Sequence, residues 1–170
     1  MKGLDINIRN NHEISIMDTN HDLDISESKW DFLINCLLEI TEHVYFYGLR
    51  LDYYDDNLEK NINFLSEEKL FNKHDGFRIL FRLKPSYLVV NRAVLKNVWD
   101  LYESPSIIFL KDINYQNSLQ KGLFENIRYI EALKEVGGVC ILYKSLQPDV
   151  LWLLSNEVIP GLPIFDQNKD

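Results

Sequence analysis

The sequence predicts an α/β fold in which a single mixed sheet of about six to seven strands is layered with about four helices. Segments with the two-residue alternation of a strand are interspersed with segments whose apolar residues recur at helical spacing. Apolar residues make up 46% of the chain and aromatic residues 12%, which is enough to build a core. Hairpin patterns near both ends of the chain argue against a purely parallel, doubly wound sheet.

The first predicted elements are a hairpin and a helix. In LDINIRNNHEISIM, apolar and polar residues alternate on both sides of the turn-forming pair Asn10-Asn11. The segment SESKWDFLINCLLEITEH has apolar residues on one helical face and serines that suit the helix N-terminus. A strand is predicted from Val44 to Tyr53, because aromatic residues and leucines at these positions fit a sheet. The polar stretch 55–76 is predicted to be a loop, with a short helix at SEEKLF as an option.

The second half begins with the strand FRILFRLK, whose phenylalanines and arginines alternate and which ends at Pro85. A helix is predicted over 88–103, then a buried strand at SIIFLKD. The clearest helix is YQNSLQKGLFENIRYIEALKEVGG, for which the terminal glycines provide a stop. VCILYKS and DVLWLLS are predicted as the last two strands. Residues 1–163 are predicted to form a single domain, and 164–170 a frayed C-terminal tail.

The charge of the chain is negative and unevenly distributed. The formal net charge is −8, and residues 1–75 carry 16 acidic against 7 basic side chains. Nucleic-acid binding is disfavoured, because it draws its affinity from lysine and arginine contacts with phosphates. The asymmetry suggests an interaction surface on the acidic half, with solubility as the alternative explanation.

Motifs for metal binding, cofactor binding and catalysis are missing from the sequence. The loop that starts at Asp18 has calcium-ligand spacing in its first half, but Leu23 stands where the loop needs glycine and Lys29 where it needs glutamate. The four histidines lack zinc-site spacing, and there is no glycine-rich phosphate loop or nucleophile motif. Cys36 and Cys140 lie in apolar runs and are interpreted as core residues. We therefore expect no catalytic residues, no metal and no cofactor.

A basic strip runs through the middle of the chain, where no acidic residue occurs between Gly76 and Trp99. As a nucleic-acid surface it would need aromatic residues on the same face for stacking. Strand alternation places the phenylalanines opposite the arginines instead. The strip is interpreted as a solvated face or as one that pairs with the acidic half; its residues are Arg78, Arg82, Lys84, Arg92 and Lys96.

The stretch LRLDYYDDN is the leading candidate for a partner-binding surface. Alternation along the predicted strand places Asp52 and Tyr54 together on one face, with Asp55 and Asp56 at the strand exit. Tyrosine supplies rigid amphipathic area, and aspartate pairs with arginine and lysine. The alternative is core tyrosine beside an ordinary acidic turn. The candidate partner-binding residues, including two from the preceding acidic loop, are Asp22, Asp24, Asp52, Tyr54, Asp55 and Asp56.

In size, acidity and lack of catalytic motifs, the chain resembles bacterial immunity proteins, the inhibitors encoded beside contact-dependent growth-inhibition and other polymorphic toxins. The resemblance is one of kind and carries no residue-by-residue motif match. It implies that the protein binds a cognate toxin domain and neutralises it, and that the partner is a basic protein such as a nuclease. An acidic surface would then cover the toxin's active site, and electrostatic attraction would speed association.

Two other classes of function remain open from the sequence. One is a small enzyme whose site is assembled from dispersed carboxylates and histidines. The other is a non-catalytic adaptor protein of a mobile element. The N-terminus lacks the apolar core of a signal peptide, and no apolar run approaches the ~18 residues of a membrane span. We therefore expect a cytoplasmic protein, a monomer or weak dimer, that binds neither nucleic acid nor membrane.

Overall fold

The computed structural model of the protein describes residues 5–10, 13–17, 27–50, 56–71, 78–100, 102–125, 139–144, 150–155 and 159–162. Eight strands in these ranges form one sheet in the order β1-β2-β8-β7-β6-β3-β5-β4. All seven pairings between neighbours are antiparallel. The strands are β1 (Asp5–Asn10), β2 (Glu13–Met17), β3 (His43–Arg50), β4 (Ser66–Phe71), β5 (Arg78–Leu83), β6 (Tyr102–Leu110), β7 (Val139–Lys144) and β8 (Val150–Ser155).

Helices cover both faces of the sheet. The described helices are α1 (Glu27–Leu38), α2 (Asp56–Leu65), α3 (Tyr87–Val90), α4 (Arg92–Asp100) and α5 (Gln116–Glu125), the last preceded by a 3-10 turn at Ile113–Tyr115. Helices α1 to α4 contribute buried residues to one hydrophobic cluster, and α5 contributes to a second. The described part of the chain is therefore a three-layer arrangement, with four helices on one face and α5 on the other.

Strand alternation divides the apolar residues between the two clusters. On β3, Val44 and Phe46 belong to the four-helix side, and Tyr45 and Tyr47 belong to the α5 side. The run from Ser106 to Leu110 on β6 is buried throughout. A sheet covered on both faces requires apolar residues at successive positions, which is why its central strands read as continuous apolar runs.

The four-helix side is fixed by a hydrogen bond as well as by apolar packing. Trp30 of α1 is fully buried, and its Nε1 donates to the Leu88 carbonyl oxygen of α3 at 2.6 Å. The guanidinium of Arg92 lies over the Trp30 ring, 5.4 Å from its centroid. Near the end of α1, the Thr41 hydroxyl donates to the Leu37 carbonyl oxygen at 2.7 Å. It thereby satisfies one of the carbonyls that a helix end leaves without a partner in the helix.

The prediction of one α/β sheet layered with helices is confirmed, but the predicted mixture of parallel and antiparallel strands is wrong, since all the described pairings are antiparallel. The sheet has eight strands, whereas about six to seven were predicted. The additional strand is β4, which SEEKLF forms in place of the predicted loop or short helix. The polar residues before it form helix α2. The predicted helix over 88–103 is two helices, and it ends at Asp100 because Tyr102 already pairs with Arg50 of β3.

The remaining predicted elements agree where the structure describes them. The opening hairpin and the two closing strands form antiparallel pairs. Cys36 is buried as expected, while Cys140 lies on β7 and its side chain is outside the described set. Residues 51–53 of the predicted strand, 126–136 of the predicted last helix and the 164–170 tail also lie outside the described residues.

Candidate functional site

Most of the predicted partner-binding residues fall outside the described part of the chain. These are Asp22, Asp24, Asp52, Tyr54 and Asp55. Asp56 is the first residue of α2, which runs directly into β4 without a loop. The predicted acidic segment is therefore joined through one 10-residue helix to the last strand of the sheet.

Strand β4 presents two consecutive glutamates, Glu67 and Glu68, at the outer end of the sheet; we call these two residues the acidic edge. Ser66 pairs with Leu83 of β5, and Glu68 pairs with Arg82, so β4 contains one more residue than β5 over this interval. This is a β-bulge, in which two residues of one strand stand opposite one residue of the other. The bulge explains how two sequential side chains reach the same arginine on one face.

Arg82 lies between the two carboxylates. Its Nε is 3.2 Å from Glu67 Oε2, and one of its Nη atoms is 3.7 Å from Glu68 Oε2. The Nε atom is buried and has no hydrogen-bond partner among the described residues, so the contact with Glu67 is an attraction between charges rather than an aligned hydrogen bond. The side chains of Glu67 and Glu68 are 36% and 49% exposed. Two carboxylates facing one guanidinium leave a net negative charge that is accessible to a partner.

Beneath the acidic edge lies Tyr45, which pairs with Arg82 across β3 and β5 and is fully buried. Its hydroxyl donates to Gln116 Oε1 of α5 at 2.9 Å. Burial raises the pKa of Tyr45 to about 12; the nearby Arg82 charge lowers that pKa and Glu68 raises it. Tyr45 is therefore a neutral hydrogen-bond donor near pH 7, and its burial keeps it from touching a partner.

Helix α5 is held to the strands of this region by side-chain contacts with backbone carbonyls. Gln120 Nε2 donates to the Leu70 carbonyl oxygen of β4 at 3.0 Å. From β5, Arg78 donates to the Leu123 carbonyl oxygen of α5 at 3.4 Å. These contacts and the Tyr45 hydroxyl attach α5 to three neighbouring strands, so the acidic edge rests on an ordered support.

The basic strip predicted from the sequence is divided by the fold. Arg78 and Arg82 lie on the α5 side of β5, whereas Arg92 and Lys96 belong to α4 on the opposite side. Arg82 pairs with Glu67 and Glu68 of the N-terminal half. This agrees with the interpretation that the strip pairs with the acidic half. Lys96 forms an ion pair with Asp100 on its own helix at 3.3 Å. The strip is therefore not one continuous surface.

The described ranges also allow a search for metal sites and for membrane-spanning helices. There, no group of three His, Cys, Asp or Glu side chains is placed to hold a metal ion. Residues 18–26 of the calcium-like loop and three of the four histidines lie outside these ranges; Lys29, at the twelfth position of that loop, lies on α1, and His43 begins β3. No described helix combines the length and apolar character of a membrane span.

Glu67 and Glu68 were not among the candidate site residues predicted from the sequence. The sequence feature that could have led to them is the basic strip, because one interpretation of it was that its arginines pair with the acidic half. The bulge in β4 was not visible from the sequence, because an extra residue disrupts the alternation by which strands are recognised.

No protein-family model matches the chain, and no curated protein or solved structure is significantly similar to it.

Proposed function

We propose that this chain is an immunity protein that binds a cognate bacterial toxin domain, a basic nuclease, and neutralises it by covering its active site with an acidic surface. The observation that carries the proposal is the acidic edge, where two half-exposed carboxylates share one guanidinium at the outer strand of the sheet. Asp56 and the acidic segment before it stand one helix away along the chain.

Electrostatics favours a basic partner. The chain has a net charge of −8, and its first 75 residues hold 16 of the 26 acidic side chains. A toxin that binds nucleic acid must present lysine and arginine to phosphates. Carboxylates arranged at the edge of a rigid sheet are suited to the same cations, and the long-range attraction raises the association rate.

The test is co-purification with the product of the adjacent toxin gene, followed by association kinetics. Changing Asp52, Asp55 and Asp56 together to Asn should slow association, and so should the separate pair Glu67→Gln and Glu68→Gln. Loss of a buried charge contact in such interfaces costs ~2–5 kcal/mol. Added salt should slow association of the unmodified protein and affect the variants much less.

Asp100→Asn provides the matched control, because Asp100 is an exposed carboxylate on α4, on the other side of the sheet. It should leave association unchanged. Each variant is checked by circular dichroism for an intact fold. If both acidic variants bind the toxin with the affinity and salt dependence of the unmodified protein, the acidic surface is not the interface and the proposal fails.

A further inference from the structure

A second surface, on the opposite side of the sheet from the acidic edge, combines exposed apolar groups with lysines. Phe64 of α2 is 49% exposed and stacks on Tyr87 of α3, with ring centroids 5.3 Å apart. Val90, one turn further along α3, is 77% exposed. We call Lys60, Phe64, Lys84, Tyr87 and Val90 the α2–α3 surface.

The lysines border the aromatic pair. Lys84 Nζ lies 5.0 Å from the centroid of the Tyr87 ring and donates to the Tyr87 hydroxyl oxygen at 3.4 Å. Lys60 is exposed and precedes Phe64 by four residues on α2, which places it on the same helix face. The aromatic groups therefore lie beside two positively charged side chains.

We propose that the α2–α3 surface binds a protein segment in which carboxylates flank an apolar anchor residue. The stacked rings are held in place before binding, so a partner side chain inserted against them loses little of its gain to ordering of this protein. Val90 enlarges the apolar area, and the lysines supply the charge that acidic side chains complement. This surface is distinct from the acidic edge, and the inference does not depend on the proposed toxin.

An acidic protein segment fits better than a nucleic acid. Both carry negative charge, and both can stack against aromatic rings. A nucleic acid, however, presents a continuous line of phosphates, and the chain as a whole has a net charge of −8 that repels it. A short acidic peptide needs to satisfy only the local lysines, and its apolar anchor uses Val90 as well as the rings.

The test uses the full-length, isotope-labelled protein and a short synthetic peptide in which glutamates flank a leucine and a phenylalanine. We expect saturable changes in the amide signals of Phe64, Tyr87 and Val90, and weaker binding at high salt. A peptide with glutamine in place of every glutamate should bind about tenfold more weakly. Val90→Glu should weaken binding of the acidic peptide to a similar extent without altering the fold, because Val90 is 77% exposed.

Ile113→Glu is the matched control, since Ile113 is another exposed β-branched residue, 39% accessible, in the 3-10 turn before α5. It should leave peptide binding unchanged. The inference is overturned if the acidic peptide gives no saturable signal changes at the α2–α3 surface, if the glutamine peptide binds equally well, or if Val90→Glu has no effect. Tighter binding of a thymidine oligonucleotide at the same residues would also overturn it, in favour of a nucleic-acid surface.

Discussion

Replacing Gly48 with alanine is expected to destabilise the protein by about 1–3 kcal/mol, the usual cost of forcing an extra carbon into a packed core. A Cβ built on Gly48 would lie 2.8 Å from Cδ1 and Cγ of Tyr102 and 2.9 Å from its Cβ. Non-bonded carbon atoms prefer a separation of about 3.5–4.0 Å. A new side-chain atom at Gly48 of β3 therefore overlaps three atoms of Tyr102, which lies diagonally opposite on β6.

Tyr102 cannot relieve this overlap by rotating its ring. It is 6% exposed and meets the Phe46 ring edge-on, with centroids 5.6 Å apart. One of the three close contacts is with the Tyr102 Cβ, whose position is set by the backbone of β6 and not by the side-chain rotamer. Relief therefore requires the two central strands to move apart, which weakens their pairing.

Urea-induced unfolding measures the effect as a lower midpoint with an unchanged slope. In the double variant Gly48→Ala with Tyr102→Ala, two of the three contacts disappear, so the two substitutions should cost less together than the sum of their separate costs. Alanine is otherwise better tolerated than glycine in a strand interior, by about 0.5–1 kcal/mol. An alanine variant as stable as the unmodified protein, or more stable, would therefore refute the close packing of Gly48 under Tyr102.

Three further predictions follow from contacts elsewhere in the fold. Trp30→Phe leaves the buried Leu88 carbonyl without its donor, so we expect a loss of about 1–3 kcal/mol in the free energy of unfolding, measured with urea. The pKa of Tyr45 is raised from 10.0 to about 12, so its stabilising contribution is complete below pH 10 and is lost as pH rises through 12. Tyr45→Phe removes the titrating group. The unfolding free energy of the unmodified protein should therefore fall relative to that of the variant by about 2–3 kcal/mol as the pH rises from 10.0 to about 12. A difference that stays constant would contradict the raised pKa of Tyr45. Deleting Glu67 removes the first of the two register shifts in β4, and sedimentation velocity should then show concentration-dependent self-association through a straighter edge strand; a variant that stays monomeric when folded would argue against this role of the bulge at Glu67.

The accuracy of the sequence-based prediction follows the regularity of each element. The alternation in β5 identified the strand and its two faces, because successive side chains over Arg78–Leu83 point to opposite faces without a register shift against β3. The segment Ser66–Phe71 was missed because its register shifts twice against β5. Each shift adds a residue and reverses the alternation, so SEEKLF has no consistent apolar face.

The boundary near Asp100 shows a different limit. The apolar pattern of α4 continues toward Leu101 and Tyr102, which led to a predicted helix over 88–103. The strand begins instead at Tyr102, where pairing with Arg50 and packing on Gly48 are available. These partners are distant in the sequence, and tertiary contacts override local helix propensity.

The site was predictable only at the level of charge. Composition located the acidic half, on which the proposal of a basic partner rests. It did not indicate that Glu67 and Glu68 would share Arg82, since this depends on the register between β4 and β5 and on an extra residue in β4. Tyr45 was assigned to the strand, but its partner Gln116 is contributed by a helix 71 positions away.

The irregular edge of β4 also constrains how a partner binds there. A straight outer strand offers its backbone amides and carbonyls to any incoming strand, and charged residues and bulges are the usual means of preventing such pairing. β4 has two register shifts, and the side chain of Gln120 already occupies the carbonyl of Leu70. Strand addition is therefore disfavoured at this edge, while Glu67 and Glu68 remain half exposed beside Arg82. A partner of the kind proposed for the acidic edge would therefore make contact through its side chains, with lysine and arginine facing Glu67 and Glu68, rather than through backbone pairing.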